Sequence, residues 1–355
     1  MDSNLPMDAQ IQKLSEKIKT AQLPIDLAEK VNDMLLLLQT SLKSGAGTFT
    51  DYENISNYIN LITSLPFNTE TSDSLDLNNV KMTLDKNHYG LNTVKNEILE
   101  YLSSLILNLN KNKDNSMVKA PILCLVGLVG TGKTTLASSV AEALGRKYER
   151  IPFGGMGDSL TLRGQSRAYP DAEPGEIIKK LLHAKSKNPV ILLDELDRVD
   201  DKARADIMGV LVELLDSEQN KGFTDHYVDY PFDLSHVLFI ATANNTTNIS
   251  TAVLDRLEII QMPSYTDEEK KTIAKDYLFP KILKDSGLNP GQVVIDENLW
   301  PNIIRPLGYD SGTRSLERTI EGICRRVARM AVEGKIQQNG VVAINAQNIR
   351  EFISV

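Results

Sequence analysis

The sequence predicts an α/β fold: a parallel central sheet, preceded by a helical region and followed by a smaller helical domain. Three observations carry this. Residues 121–136, PILCLVGLVGTGKTTL, read as a buried strand, a glycine-rich turn and the start of a helix. Residues 189–195, PVILLDE, read as another buried strand, ending in two acids. Residues up to about 75, and the run from 263 onward, have helical patterning, with apolar side chains at spacings of three and four in the first. The expected division is 1–75, a helical neck or bundle; 76–262, the α/β domain; and 263–355, a helical lid.

In the first part, Ile11, Leu14 and Ile18 mark one helix, and Leu27, Val31, Met34, Leu35 and Leu38 a second, separated by Pro24. After the break SLKSGAG (41–47), Tyr52, Ile55, Tyr58, Ile59, Ile62 and Leu65 mark a third. It should stop at Pro66, because the residue before a proline is pushed out of the helical region. Residues 68–76 form a polar linker. A short helix (77–84), a turn (85–91), a helix (92–108) and a loop (110–117) should follow.

The α/β domain then opens on 122–126 and the run Gly127-Leu128-Val129-Gly130-Thr131-Gly132-Lys133-Thr134, with Thr135 next in the helix. In this strand–loop–helix context G-x-x-x-x-G-K-[ST] is a phosphate cradle. Glycines let the backbone close around an anion, and the amides at the helix N-terminus point at it. Lys133 would reach the β- and γ-phosphates, and the Thr134 hydroxyl would hold Mg²⁺. A second strand is expected at 148–152.

Residues 154–175 form a long glycine- and proline-bearing segment with little periodicity, and such loops usually serve a function. A helix (176–185) and the acidic strand follow. Asp194 would coordinate Mg²⁺ through water, and Glu195 would orient or deprotonate an attacking water. Helix 206–216, one arm of a hairpin or a short strand at 225–229 and a strand at 237–242 come next. Asn244, just past that strand, could sense the γ-phosphate or merely cap a turn. Residues 251–256 make a short helix, 257–262 a last strand, and Thr266 with Glu269 a capping box. Gly308, Gly312 and Gly334 break the helical tail, and 340–343 hints at a short strand.

The whole chain adds limits. A net charge of −8 over 355 residues supplies no global basic field for nucleic acid or anionic membrane. Cys124 falls in a buried strand and Cys324 in a helical run, so both read as core thiols, which suits a reducing compartment. No apolar run reaches membrane-spanning length and no secretory signal is visible.

GLVGTGKT, ILLDELD, the run DSEQNKGFTDHYVDYPFDLSHVLFIATAN, LDRLEII and GTRSLER together resemble the ATPase module of the Lon proteases, of the AAA+ class of P-loop NTPases. SLPF (64–67) and DKNHYGL (85–91) resemble it too. The likeness runs from about residue 14 to residue 355. It implies a hexameric ring that uses ATP/ADP and Mg²⁺ and acts on unfolded or misfolded polypeptides. By position it implies that Arg256 is the arginine finger of a neighbour's site and Arg314 the second sensor. Otherwise Arg256 would satisfy helix carbonyls and Arg314 a surface ion pair. His88, Tyr89 and Gly90 match the turn lining the adenine pocket, although His88 could equally be a cap residue. Tyr169 matches the aromatic residue of the pore loop, with Arg163 and Arg167 nearby.

The sequence also departs from the pattern. Pro170 stands where an aliphatic residue is usual, and Leu128-Val129 where two prolines are usual. The D-G-P-S-A-G motif of the family's Ser–Lys protease domain does not occur in the sequence, so a piece of a longer Lon-type protein is expected. The alternatives are a stand-alone remodelling ATPase and a non-enzymatic module, either a nucleotide-gated ring or a nucleic-acid clamp, the clamp being opposed by the acidic balance. The cytoplasm is the expected compartment, and an organelle matrix the alternative.

Overall fold

The computed structural model describes residues 7–45, 48–111, 121–305, 312–336 and 340–353. Most of the expected 110–117 loop, the end of the 41–47 break and Gly308 lie outside them.

Three helices come first: α1 (Met7–Thr20), α2 (Ile25–Lys43) and α3 (Phe49–Ile62). Pro24 is the N-cap of α2, and Thr48 caps α3 through a capping box with Asp51. The linker is strapped down: Asn188 accepts from the Thr71 amide, and Asp73 pairs with the buried Arg146. Helices α4 (Leu77–Asn87) and α5 (Asn92–Lys111) lead into strand β1 (Ile122–Val126).

There follow α6 (Lys133–Leu144), β2 (Tyr148–Pro152), α7 (Leu160–Arg163), α8 (Glu176–Ala184), β3 (Val190–Asp194), α9 (Arg204–Leu215), β4 (Phe223–Thr224), β5 (Pro231–Phe232), β6 (Leu238–Ala243), α10 (Thr251–Leu254) and β7 (Leu257–Gln261). Five strands form a parallel sheet in the order β2-β3-β6-β1-β7. Every residue of β1, β3 and β6 is buried, as a parallel sheet covered on both faces requires. Alternate side chains go to opposite faces. Cys124, Ile191 and Phe239 join an apolar cluster that runs on into Leu35, Tyr58 and Ile62 of the N-terminal helices. Leu123, Leu192 and Ile240 join a second cluster, with Val94 of α5 and Leu136 of α6.

Two expectations change. Residues 225–229 are neither a hairpin arm nor a strand; they form the turn between the arms β4 and β5, because Asp225 accepts from the amides of Tyr227 and Val228 and bends the chain. The 154–175 segment contains a helical turn, α7, too short to show a period.

The lid comprises α11 (Asp267–Thr272), a π-helical turn (Ile273–Leu278), α12 (Phe279–Asp285), β8 (Val293–Ile295), α13 (Trp300–Ile304), α14 (Arg314–Val332), β9 (Val342–Ile344) and α15 (Ile349–Phe352). It has its own apolar cluster, around Trp300, Ile320 and Val327. The Thr266–Glu269 capping box is present. The strand hinted at near 340 is β9, and it pairs in parallel with β8, which the sequence pattern did not reveal. Both cysteines are free and buried. Among the described residues no helix is long and apolar enough to cross a membrane.

Candidate functional site

The C-terminal ends of β1, β3 and β6 meet below a cleft of about 660 Å³, roofed by the lid. Ligands of open α/β sheets bind at this end. Lys133, Thr134, Thr135, Gly130, Gly132, Val129, Asp194, Glu195, Asn244, His88, Tyr89 and Arg314 all line it.

The glycine-rich turn is shaped by its backbone. Gly130 and Gly132 hold φ of +81° and +92°, which L side chains rarely adopt. Thr131 is buried, and its hydroxyl donates to the Leu128 carbonyl at 2.9 Å. Gly127 passes so close to Met262 that a Cβ would lie 2.7 Å from its carbonyl oxygen. Helix α6 begins at Lys133, two residues ahead of the expected start. Its ammonium donates to Gly127 O (2.5 Å), Leu128 O (3.0 Å) and Asn244 Oδ1 (3.1 Å). Burial lowers the Lys133 pKa, and the carboxylates of Asp197, Asp194 and Glu195 oppose that shift.

The acid pair is built by Thr242, at the end of β6. Its hydroxyl donates to Asp194 Oδ1 and accepts from the Glu195 amide at 3.0 Å. Asp194 is buried, and Arg150 answers its charge with Nε at 2.7 Å and a terminal nitrogen at 2.6 Å from Oδ2. A buried carboxylate needs such a partner. Glu195 turns away from the strand at φ +61°. Its carboxylate fits because Gly154 has no Cβ: one would lie 2.8 Å from Glu195 Oε2. Asp197 accepts from the Asn244 amide at 3.0 Å and fixes the loop after β6. Asn244 Nδ2 is buried and has no acceptor in the structure.

At the other end of the cleft, His88 is buried and its Nε2 lies 3.0 Å from Ser139 Oγ on α6. Burial, helped by the Lys95 ammonium, pushes its pKa down to about 4. Tyr89 meets Tyr277 of the π-helical turn edge-on, ring centres 6.3 Å apart. Gly90 holds φ +64°. The lid touches the glycine-rich turn directly. Thr313 donates its amide (2.9 Å) and hydroxyl (3.2 Å) to Gly130 O, and Tyr265 donates to Thr131 O (3.2 Å).

Five residues singled out from the sequence lie elsewhere. Arg256 does not line this cleft; it donates to the Ala252 carbonyl at 2.9 Å and pairs with Asp216 at 3.0 Å. Within one chain, its contact with a helix carbonyl is the alternative raised from the sequence. Tyr169 and Pro170 are exposed on the 165–174 loop. Arg163 and Arg167 are held by the protein: Arg163 pairs with Glu213, and Arg167 stacks on Tyr58.

Sequence reasoning missed Arg150, Thr242, Tyr265, Tyr277 and Glu317, which line the cleft, and Asp197 beside it. Only Asp197 had a local signal, as the last acid of DELD.

The arrangement suits a polyanion. A lysine, two arginines and the amides of a helix start face two acids that call for a metal. Among the described residues no cluster of three or more His, Cys, Asp or Glu could hold a metal by itself.

Comparison with known proteins agrees. Residues 123–265 match the family model for the ATPase family associated with various cellular activities (AAA), and 284–339 the Lon protease AAA+ ATPase lid domain. The chain is 42% identical over 348 residues to the Lon protease of Lawsonia intracellularis, covering 98% of this chain and 40% of that protein. It is 44% identical over 327 residues to the Lon protease of Syntrophomonas wolfei, covering 92% and 39%. It is 40% identical over 347 residues to that of Clostridioides difficile, covering 98% and 42%. The chain thus spans about two fifths of the length of these relatives. A nucleotide-binding AAA domain and a Lon lid on one chain, with such identity along nearly all of it, place the protein in the Lon protease family, as an ATPase module of that family.

Proposed function

We propose that this module binds ATP with Mg²⁺ in the cleft and converts hydrolysis into movement of a polypeptide. The observation that carries the reading is the convergence of Lys133, Asp194, Glu195, Asn244 and Arg314 on one cleft. The residues of the turn from Gly127 to Thr135 cradle the phosphates. Lys133 gives up its carbonyl partners for phosphate oxygens. Thr134 and Asp194 would hold the metal, which when bound would neutralise the phosphates and polarise the terminal phosphoryl group. Glu195 orients and deprotonates water. Asn244 offers its unpaired amide to the terminal phosphate or the water. Arg314 carries the state of the nucleotide to the lid through α14, and His88, Tyr89 and Gly90 hold the base.

We further propose a homo-oligomeric ring, hexameric in the intact protein, in which Arg256 reaches a neighbour's site. Tyr169 and Pro170 contact unfolded or misfolded polypeptide. The parts are 1–75, 76–262 and 263–355. The lid's separate apolar cluster supports the last boundary, whereas the first helices share a cluster with the sheet and would move with it. In the longer protein the polypeptide would pass to a Ser–Lys protease domain; the second reading is a remodelling ATPase without one. The proposed compartment is the cytoplasm, with an organelle matrix as alternative; two free, buried cysteines support a reducing one.

The test is steady-state ATP turnover with and without casein, an unfolded polypeptide, alongside the native mass with and without ATP. Turnover, stimulation by casein and a mass of six chains are expected. No turnover by an assembled protein would remove the motor reading.

A further inference from the structure

We propose that Arg167 and Tyr58 are positioning residues that aim the exposed loop carrying Tyr169, so that the N-terminal helices bear the load on that loop. The inference rests on the reading of Tyr169 as a polypeptide contact and adds to it a mechanical partner.

The loop is held at two separate points. The first is its neck. A Cβ on Gly175 would lie 2.0 Å from Leu162 O and 2.7 Å from the Gly164 nitrogen, so the two strands of the neck touch backbone to backbone. The Gln165 amide donates to Glu173 O at 3.0 Å. Asp225, fully buried, plugs the neck: Oδ2 accepts from the Gly175 amide at 2.7 Å, and Oδ1 from Tyr227 and Val228.

The second point lies farther along the loop. The Arg167 guanidinium sits 3.7 Å from the centre of the Tyr58 ring, on α3. Tyr58 is fully buried, and its hydroxyl donates to Val228 O at 2.8 Å. The turn that holds the neck is gripped by the same helices. Lys30 on α2 donates to Asp229 O and Oδ2, both at 2.8 Å, and Tyr230 donates to Asp26 at 2.8 Å.

A loop fixed only at its neck can pivot, and a second fixed point removes that freedom. Arg167 stands two residues before Tyr169, which is 68% exposed. Tyr169 is therefore free at its tip and held at its base. The stack between a guanidinium and a buried aromatic face is directional, and desolvation strengthens it. Pulling on Tyr169 loads Tyr58 and α3 directly, as well as the sheet through the neck.

The test uses the full chain and three substitutions. With a poorly hydrolysed ATP analogue present, Arg167→Gln should weaken binding of fluorescein-labelled casein about two- to thirtyfold, the span of cation–π contacts from exposed to desolvated. ATP turnover without casein should stay within about twofold of the parent, since Arg167 lies outside the cleft. Arg167→Lys, which keeps a cation, should restore part of the casein affinity. Independently of any polypeptide, hydrogen exchange at the Gln165 and Tyr169 amides should speed up in Arg167→Gln. Unchanged exchange and unchanged casein affinity would overturn the mount. Tyr169→Ala separates the two claims. Wild-type casein binding by Tyr169→Ala defeats the polypeptide-contact reading, whereas lost binding there with normal binding in Arg167→Gln defeats only the mount.

Discussion

The Lys133 ammonium lies 3.1 Å from the Asn244 side-chain oxygen, which joins the start of α6 to the loop after β6. Its other two hydrogen bonds go to carbonyls of the glycine-rich turn, so its donors are already gathered where anionic oxygens would come. Lys133→Ala removes the charge and leaves those carbonyls with one donor fewer. A charge-assisted hydrogen bond contributes about 1.5–3 kcal/mol, so we expect nucleotide affinity to fall roughly 10- to 100-fold. Titration with a fluorescent ATP analogue measures this. Wild-type affinity would contradict the cradle.

Glu195 has a different role and should fail differently. Its amide is held by Thr242 and its carboxylate occupies space that Gly154 leaves open. Glu195→Gln keeps the shape and removes the proposed base. Turnover should drop by about 10²–10⁴, the usual worth of a general base, while ATP binds as before. Rapid-quench turnover beside equilibrium binding checks both. Retained turnover would move the base elsewhere.

Buried strands and the anion loop were legible because they are local. Ile122–Val126 and Val190–Asp194 are uninterrupted apolar runs, and the glycines of the turn sit at fixed offsets. The capping box at Thr266 was equally local. What escaped was assembled at a distance. Arg150 reaches Asp194 across two neighbouring strands, and Thr242 is an ordinary threonine until β6 lies beside β3. Tyr277 enters the cleft because a π-helical turn re-aims it, and no periodicity announces such a turn. Strand β8 is three residues long and takes its shape from β9. The stack of Arg167 on Tyr58 joins residues more than a hundred positions apart.

Acid should weaken the protein through His88. The imidazole pKa is about 4 in the fold, against 6.5 in an unfolded chain. Between those values the unfolded state takes up a proton that the folded state excludes. Stability is complete above pH 6.5 and falls as pH drops toward 4, by on the order of 2–3 kcal/mol. His88→Gln should show a shallower decline over that window. Urea unfolding at pH 7.5, 6.5, 5.5 and 4.5 reads the difference. His236, whose pKa burial also lowers, contributes to both proteins and cancels. Parallel curves would remove His88 as the source.

Gly175 tests the loop neck by sterics alone. Its backbone, at φ −69°, suits any residue, so conformational strain is not at issue. An added methyl would meet the Leu162 carbonyl at 2.0 Å, a distance no real contact shows. Gly175→Ala must part the neck or shift α8. Forced overpacking of this kind costs about 1–3 kcal/mol. Thermal melts should show a lower midpoint, and an unchanged midpoint would mean the neck is looser than drawn.

Arg256 distinguishes a ring from a set of independent subunits. Inside one chain its guanidinium is held by Asp216 and the Ala252 carbonyl, and its buried Nε has no acceptor. It cannot serve the cleft of its own chain without leaving these contacts. If it serves a neighbour, Arg256→Ala subunits keep complete clefts but offer nothing across the interface. Glu195→Gln subunits do the reverse: their clefts lack the base, but their arginine is intact. Each variant alone should turn over ATP at least 100-fold more slowly than the parent, the scale of an arginine finger or a general base. Mixed and allowed to exchange subunits, they should recover activity, because some Arg256→Ala clefts then face an intact arginine. The recovered rate should rise with the fraction of Glu195→Gln, pass through a maximum and fall again. A mixture no faster than its two components would confine Arg256 to its own chain, and the carbonyl and Asp216 contacts would then be its whole role.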